Sequence, residues 1–264
     1  MLKPLPLALA ALLGVSNLVF AQDKPARPKP EDTEAWTPVP PVVQPGPYKE
    51  TPAPEGAIIL FDGKNLDEWI NTGNRKPADW ILKDGVLVVN KKTGNIETKR
   101  KFKDYQLHLE FLFPDNSEFK GQARSNSGLF LASTGGGDAG YELQILDSHQ
   151  NETYVNGMAA SIYKQAIPLA NPSRKPGEWQ TYDVTWTAPR FKSDGSLESP
   201  ATVTVLFNGV LVQDRFVLKG ETAFIGQPKY KPYDTAAIKL QSHGDASKPM
   251  SFRNIWIKEM KEKE

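Results

Sequence analysis

Cysteine is absent from all 264 residues of the chain. Disulfide bonds, thiolate metal sites and lipid attachment to a cysteine are therefore excluded. Histidine is scarce as well, with three residues, and the spacing shows no close metal-ligand motif of the HExxH kind. A domain without disulfides has to be stabilised by its hydrophobic core, which a domain of about 200 residues is large enough to form.

An excess of charge of one sign is also missing. The 32 Lys and Arg residues nearly balance the 31 Asp and Glu residues, for a formal net charge of +1. No basic block and no acidic tail stands out in the sequence. Nucleic acid and anionic membrane surfaces are therefore not expected as partners.

The first 56 residues read as two segments that precede the folded domain. Residues 1–21 have a lysine near the start, an apolar run and small residues before Gln22, which predicts a signal peptide cut after Ala21. The apolar run from Leu5 to Val15 is shorter than the roughly 20 residues that span a bilayer. Residues 22–56 contain ten of the 22 prolines and predict an extended linker. The expected location is secreted or periplasmic, with no membrane attachment after cleavage.

Residues 57–262 lack long apolar stretches at helical spacing and instead contain many short, alternating ones. Examples are QLHLEFLF (106–113), YELQIL (141–146) and ATVTVLF (201–207), separated by Gly, Asn, Asp and Pro. Asn208 and Gly209 form a strong hairpin signal, since both turn positions accept positive φ. The pattern predicts an all-β fold, one antiparallel β-sandwich.

Several phrases in this domain resemble one known family. They include LFDGKNLDEW (60–69), KFKDYQLHLEF (101–111), YELQILDS (141–148), GEWQTYDV (177–184) and FRNIWIKEM (252–260). Their order and spacing are similar to the 3-keto-disaccharide hydrolase domain family, over about residues 58–259. The resemblance implies a concanavalin A-like jelly roll in a secreted bacterial protein. It also implies a carbohydrate substrate, a glycoside whose glucose C3 has become a ketone.

The alternating strands place polar side chains opposite their apolar ones. In YELQILD, Tyr141, Leu143 and Ile145 are expected to face the core, and Glu142 and Gln144 the other side. The same reasoning turns further polar residues of other strands away from the core: His108, Glu110, Lys239, Gln241 and His243. If these strands share one curved sheet, their polar residues converge in one sugar-binding groove, by analogy with other jelly rolls.

The chemistry implied by the resemblance needs three groups. A base removes the acidic C2 proton, a donor stabilises the oxygen at C3, and an acid protonates the departing oxygen at C1. Glu142 is the first candidate for the base and His243 the second. Gln144, Arg253 or a bound cation is suggested for the enolate, and Glu110 or Asp147 for the acid. No nicotinamide motif is present, so another enzyme would perform the oxidation.

Further residues are candidates for the lining of the groove. Asn126 follows from the family phrase, while Trp179 is a candidate sugar platform with Glu178 beside it; Gln144, Asp147, Gln241, His108 and Arg253 complete the substrate-binding set. Arg253 is more often a structural ion-pair partner between strands. Glu, Asp, Gln and His in one groove are also able to hold a divalent cation such as Ca²⁺, although no metal ligand is assigned.

Two alternatives to the 3-keto-glycoside enzyme stay open at this level. One is a classical glycosidase that uses two carboxylates, with Glu110 and Glu142 as the pair. The other is a non-catalytic carbohydrate-binding module, which would need an exposed aromatic platform but no carboxyl with a raised pKa.

Overall fold

The computed structural model describes residues 27–261, and within them almost all regular structure is β-strand. Three short 3-10 helices lie at Pro30–Thr33, Gly121–Ala123 and Val155–Gly157. The strands are β1 (Ile58–Phe61), β2 (Trp69–Asn71), β3 (Ile81–Lys83), β4 (Val86–Val88), β5 (Ile96–Thr98), β6 (Tyr105–Leu112), β7 (Asn126–Ser133), β8 (Gly140–Leu146), β9 (Trp179–Thr187), β10 (Arg190–Phe191), β11 (Leu197–Ser199), β12 (Thr202–Phe207), β13 (Val210–Val217), β14 (Ala237–Leu240) and β15 (Ser251–Glu259).

These strands form two antiparallel sheets and a small hairpin. The larger sheet has the order β13-β12-β9-β6-β15-β4-β3, with β1 also paired to β15. The smaller sheet has the order β2-β5-β14-β7-β8, and β10 pairs with β11 as the separate hairpin. The predicted all-β, antiparallel sandwich of the jelly-roll class is confirmed.

The core lies between the two sheets and follows the period-2 pattern of the sequence. Leu107, Leu109 and Phe111 of β6 are at most 1% exposed, and Leu143 and Ile145 of β8 are fully buried in the same cluster. Burying each of these side chains stabilises the fold by about 1.5–3 kcal/mol. The predicted inward face of YELQILD is confirmed, so its other face is the outer surface of the smaller sheet.

The predicted hairpin at Asn208 and Gly209 is present. It joins β12 to β13 as a two-residue loop, with φ of 51° at Asn208 and 80° at Gly209. Positive φ at both positions is the signature of a turn that follows the natural twist of paired strands.

The proline-rich segment departs from its predicted role. Within residues 27–56 the chain lies along the sandwich instead of standing off from it. Asn156 holds this segment at two points, since its Nδ2 donates to Thr33 O at 2.8 Å and its Oδ1 accepts from Ala35 N–H at 2.9 Å. Farther along, Trp256 Nε1 donates to Thr51 O at 3.2 Å. Since its carbonyls and amides bond to the domain, this part of the chain is a surface strap and not a detached spacer. Residues 1–26, which include the predicted signal peptide, lie outside the described residues.

Candidate active site

A cavity of about 420 Å³ lies over the outer face of the smaller sheet. Its floor comes from β7, β8 and the chain just after β14, and its walls come from loops and from the start of the strap. The lining residues of the floor are Asn126, Glu142, Gln144, Gln241 and His243; those of the walls are Pro30, Glu31, Glu34, Gln122, Asp138, Tyr154, Tyr163, Thr222 and Phe224. Five residues predicted from the sequence therefore meet in one place.

A glycine in the floor makes room for Glu142. Gly128 of β7 pairs with Gln144 of β8 in the sheet register. A Cβ atom at Gly128 would lie 2.5 Å from Glu142 Oε1 and 3.2 Å from its Cγ and Cδ, so the Glu142 side chain would have to move. The backbone of Gly128 does not have positive φ, so a glycine is needed there for space and not for conformation.

Glu142 is a nearly buried carboxyl without a hydrogen-bond partner on its side chain. It is 6% exposed, and no described residue bonds to its carboxyl oxygens, while its backbone N–H donates to Thr222 Oγ1 at 2.9 Å. Burial, together with the negative charge of Asp138, raises its pKa to about 8 against the opposing effect of Lys239. A carboxylate with this pKa is a strong base close to neutral pH, which is the property that abstraction of a C–H proton requires.

Lys239 lies beside this carboxyl but does not pair with it. Its Nζ donates to the carbonyls of Gly135, Gly137 and Ala139 at 3.0, 2.9 and 2.9 Å. The ammonium group is thus directed into the loop before β8, and it also lies 4.9 Å from the ring centroid of Phe130. Because this cation is satisfied elsewhere, Glu142 keeps its raised pKa.

A chain of amide side chains fixes the orientation of Gln144. Gln122 Nε2 donates to Gly157 O at 2.8 Å, and Asn126 Nδ2 donates to Gln122 O at 2.9 Å and to Gln122 Oε1 at 3.2 Å. Gln144 Nε2 then donates to Asn126 Oδ1 at 3.1 Å. The backbone carbonyls at Gly157 and Gln122 determine which end of each amide is nitrogen. This amide relay (Gln122, Asn126, Gln144) leaves Gln144 Oε1 buried and without a partner.

This orientation bears on the role suggested for Gln144. Stabilising an enolate needs a hydrogen-bond donor, but the Gln144 N–H groups point to Asn126 and its other end is an acceptor. The sequence-based suggestion that Gln144 stabilises the enolate does not fit this arrangement. A role in recognising hydroxyl groups does.

Two tyrosines form a hydrogen-bond donor in the cavity wall that the strand pattern does not predict. The Tyr154 and Tyr163 hydroxyl oxygens are 2.6 Å apart, so one hydroxyl donates to the other and the second keeps a free proton. Burial raises the pKa of Tyr163 to about 12 and also raises that of Tyr154. The chain next to Tyr163 is tied to β8, since Tyr163 N–H donates to Glu142 O at 3.2 Å. A protonated hydroxyl pair therefore lies in the wall beside the candidate base.

His243 stands at the rim of the cavity and is backed by a carboxylate. Its Nδ1 is 2.9 Å from Asp245 Oδ2, and its side chain is 37% exposed. Although burial acts in the opposite direction, hydrogen bonds from His243, Ser247 and Lys91 hold the pKa of Asp245 well below its usual range. An ionised Asp245 orients the imidazole and leaves Nε2 available for proton transfer.

Glu110, His108 and Arg253 lie elsewhere, on the outer face of the larger sheet. Glu110 accepts from Arg253 Nε at 2.7 Å and from Tyr48 Oη at 2.9 Å, and Nδ1 of its neighbour His108 is 2.7 Å from Asp183 Oδ1. The prediction that Glu110 and His108 share a groove with Glu142 is wrong, because β6 and β15 belong to the other sheet. The ion-pair interpretation of Arg253 is the one that the structure shows.

The remaining candidates are also placed outside the cavity. The Arg253 guanidinium lies 3.9 Å from the centre of the Trp179 ring, on the outer face of the larger sheet. Glu178 is half-buried, and its Oε1 lies 3.5 Å from Lys175 Nζ. Asp147 is fully buried, and its Oδ2 is 2.9 Å from Arg124 Nε. None of these three lines the cavity that holds Glu142.

Some residues of the site carried little signal in the sequence. Tyr154 and Tyr163 fall in a loop with no strand pattern, and Glu34 falls in the segment interpreted as a linker. Asp245 follows His243 by two residues, and this spacing could have suggested the pair. Gln122 is placed by a 3-10 turn whose side-chain direction no period predicts.

Two absences hold for residues 27–261, the part of the chain that the structure describes. This part of the chain shows no cluster of three or more His, Cys, Asp or Glu side chains that is able to hold a metal ion. It also has no helix with the length and hydrophobicity needed to cross a membrane.

Comparisons with known proteins relate the chain to glycosyl-hydrolase-like domains. A family profile described as the 3-keto-alpha-glucoside-1,2-lyase-like domain matches residues 56–258. A crystal structure of a candidate glycosyl hydrolase from Parabacteroides distasonis ATCC 8503 is 50% identical, with a TM-score of 0.75, over 87% of this chain and 96% of that one.

Two further candidate glycosyl hydrolases from the same organism are more distant. The first is 20% identical with a TM-score of 0.57, and the match covers 78% of this chain and 95% of that one. The second is 23% identical with a TM-score of 0.54, and the match covers 77% of this chain and 99% of that one. At these identities they show the fold alone. No curated protein matches the chain.

Proposed function

The chain belongs to the family of 3-keto-alpha-glucoside-1,2-lyase-like domains, and from this premise we propose that it cleaves glycosides whose sugar carries a ketone at C3. The observation that carries the proposal is Glu142, a buried carboxyl with a raised pKa and no hydrogen-bond partner on its side chain, in a cavity of sugar size. A binding module has no use for such a group, because an unpartnered buried carboxyl costs stability.

The first step is abstraction of the C2 proton. The Glu142 carboxylate takes this proton as the C2–H bond of the sugar breaks. The electron pair of that bond is delocalised onto the C3 oxygen to give an enolate. The free hydroxyl proton of the Tyr154–Tyr163 pair is the donor in the cavity wall that stabilises this oxygen. The ketone is essential, because without it the C2 proton is not acidic.

The second step is loss of the group at C1. The enolate electrons re-form the ketone, the C1–C2 double bond forms, and the C1–O bond breaks. His243, held by Asp245, gives a proton to the departing oxygen. Addition of water across the double bond then returns a proton to C2 and a hydroxyl to C1, so the overall reaction is hydrolysis.

The structure bears on one alternative. A classical glycosidase needs two carboxyl groups flanking the same bond, at about 5–9.5 Å. Glu110 and Glu142 are on opposite sheets and line separate cavities, so they do not form such a pair. Release of the leaving group by elimination remains the chemistry that one strong base and one donor pair support.

The test uses a methyl 3-keto-α-glucoside and its unoxidised parent as substrates in D₂O. Elimination followed by hydration places deuterium from the solvent at C2 of the product beyond the enzyme-free background, whereas direct displacement at C1 does not. Glu142→Gln is expected to lower turnover about 10²- to 10⁴-fold, the usual contribution of a general base. Glu198→Gln is the matched control, since this glutamate is exposed on the hairpin strand β11. Cleavage of the parent sugar, or binding without cleavage of either, would contradict the proposal.

We also propose that the protein acts after export. The support is the predicted signal peptide in residues 1–21. Sequencing the N-terminus of the protein from the periplasmic or secreted fraction checks it, and the expected first residue is Gln22.

A further inference from the structure

Two amide oxygens in the cavity have no hydrogen-bond partner. Gln144 and Gln241 are 1% and 6% exposed, both line the cavity, and Oε1 of each is buried without a partner among the described residues. Leaving a buried acceptor unpaired is costly, so native proteins pair nearly all of them. Both atoms belong to side chains that line one cavity, where a hydroxyl group of a ligand is a suitable partner for them.

The two glutamines flank the same gap in the sheet. Gln241 N–H donates to Gly128 O at 2.9 Å, and Gly128 pairs with Gln144 on its other side. Gly128 has no side chain, and the Glu142 side chain occupies the space beside it, so the candidate base lies between the two glutamines. Neighbouring strands are about 4.8 Å apart, so the Cα atoms of the two glutamines are separated by about 10 Å, and a sugar ring placed above Glu142 has one glutamine on each side.

The hydrogen bonds of the amide relay fix which end of the Gln144 amide faces the cavity. The amide relay starts at a backbone carbonyl, which accepts but cannot donate, and each amide in turn directs its nitrogen back toward that carbonyl. Reversing Gln144 would bring its oxygen against Asn126 Oδ1, which is also an acceptor. The relay thus offers the ligand an oxygen at Gln144.

Apart from the hydroxyl pair of Tyr154 and Tyr163, the cavity wall also carries acceptors. Glu31, Glu34 and Asp138 line it, while Lys239 is held by three backbone carbonyls. An acceptor-rich lining binds hydroxyl donors and disfavours anionic groups.

We propose that Gln144, oriented by Gln122 and Asn126, and Gln241 on the other side of Gly128 accept hydrogen bonds from hydroxyl groups of an uncharged sugar ring, and that they determine which sugars the cavity takes. Gln144 and Gln241 are specificity residues, and Gln122 and Asn126 are positioning residues. The proposal rests on the proposed function, since it names how the same cavity recognises its sugar.

The experiment measures binding and not turnover, so that it is separate from the chemistry. Glu142→Gln serves as the non-reacting reference protein, and calorimetry measures its affinity for methyl 3-keto-α-glucoside and for the 2-deoxy, 4-deoxy and 6-deoxy analogues. These three analogues remove every hydroxyl group of the ligand in turn. The same titrations are then made with Gln144→Met and with Gln241→Met added to the reference, since methionine keeps the length of the side chain and removes the acceptor.

The expected result is a coupling between one hydroxyl and each glutamine. The reference should bind at least one deoxy analogue about tenfold or more weakly than the parent, as expected for a lost hydrogen bond to a buried group. Gln144→Met should bind the parent sugar and that analogue with equal affinity. Gln241→Met should likewise lose the preference against an analogue that lacks a different hydroxyl. Equal preferences in the reference and in both methionine variants would overturn the inference while leaving the proposed function intact. Failure of the reference to bind the parent sugar would overturn both, and only this outcome removes the proposed function.

The role of the relay has its own comparison. Asn126→Asp keeps an acceptor for Gln144 Nε2, so the preference for the hydroxyl should persist in this variant even where stability falls. Asn126→Leu removes the acceptor, and the preference should fall toward onefold. If both variants keep the preference, Asn126 does not position Gln144.

Discussion

Glu142→Gln should make the protein more stable relative to the native sequence as the pH rises, although the substitution removes the candidate base. The carboxyl has an ordinary pKa of 4.5 in the unfolded chain and about 8 in the folded one. Between these values the unfolded chain has released a proton that the folded protein still holds, so ionisation favours unfolding. The stability that the protonated form supplies is complete below pH 4.5 and is lost as the pH rises through 8.

The magnitude follows from linkage at about 1.4 kcal/mol per pH unit. As the pH rises from 5 to 7, ionisation of Glu142 should lower the free energy of unfolding of the native sequence by about 2.5 kcal/mol. The glutamine of the variant does not titrate, so the variant loses none of its stability in this way. Because other groups titrate in both proteins alike, the difference isolates this one carboxyl. For a domain of this size it corresponds to about 5–10 °C in melting temperature.

The assay is thermal or urea unfolding of both proteins at pH 5, 6, 7 and 8. The melting temperature of Glu142→Gln minus that of the native protein should grow with pH up to about 8. Glu110→Gln is the control, and its expected effect has the opposite sign. Although burial raises the pKa of Glu110, hydrogen bonds from His108, Asn254, Arg253 and Tyr48 lower it to about 2. Breaking that network should destabilise the protein at neutral pH by about 3 kcal/mol. A difference between Glu142→Gln and the native protein that is constant from pH 5 to pH 8 would refute the argument that burial holds Glu142 protonated.

Four further predictions concern catalysis. The rate at which C2–H of a 3-keto-glucoside exchanges with solvent deuterium, a step that uses the base and not the acid, should rise about tenfold per pH unit up to about pH 8, where Glu142 in the free enzyme becomes ionised; a rising limb centred below pH 6 would contradict this. Gly128→Ala places a Cβ atom 2.5 Å from Glu142 Oε1 and should lower kcat, whereas Gly136→Ala, in open space, should not, as steady-state kinetics of the two will show. Tyr163→Phe should lower kcat about 10²-fold with little change in KM, as for loss of one oxyanion donor; an unchanged kcat would exclude it from that role. His243→Ala should impair release of methanol far more than release of a nitrophenol, which leaves without an acid, and equal losses with both would count against its acid role.

The inward and outward assignment of residues was predictable, while the membership of strands in sheets was not. A period of two decides which side of a strand faces the core, so Tyr141 and Glu142 were placed correctly by their letters alone. Glu110 in β6 follows the same alternation, but its strand pairs with β9 and β15 and not with β7 or β8. Pairing depends on contacts between distant parts of the chain, which no local pattern encodes.

The walls of the site escaped prediction for a different reason. Proline content favours an extended backbone, but an extended segment serves equally well as a free tether or as a strap, and side-chain partners such as Asn156 decide between them. Tyr154 and Tyr163 come together through a loop without periodicity. The orientation of Gln144 depends on two backbone carbonyls that the sequence does not show.

The position of β15 has a consequence for how the protein reaches its native state. Ser251–Glu259 follows every other strand along the chain, yet it lies inside the larger sheet, between β6 and β4, and also pairs with β1. During synthesis, β1, β4 and β6 each lack a neighbour until these nine residues have emerged. The larger sheet is therefore completed late, when β15 joins the β13-β12-β9-β6 part to β1 and to the β4-β3 pair, and the smaller sheet with its cavity has no complete sheet to pack against before then. A nascent chain stalled short of residue 251 should be digested by protease along its length, without a protected fragment.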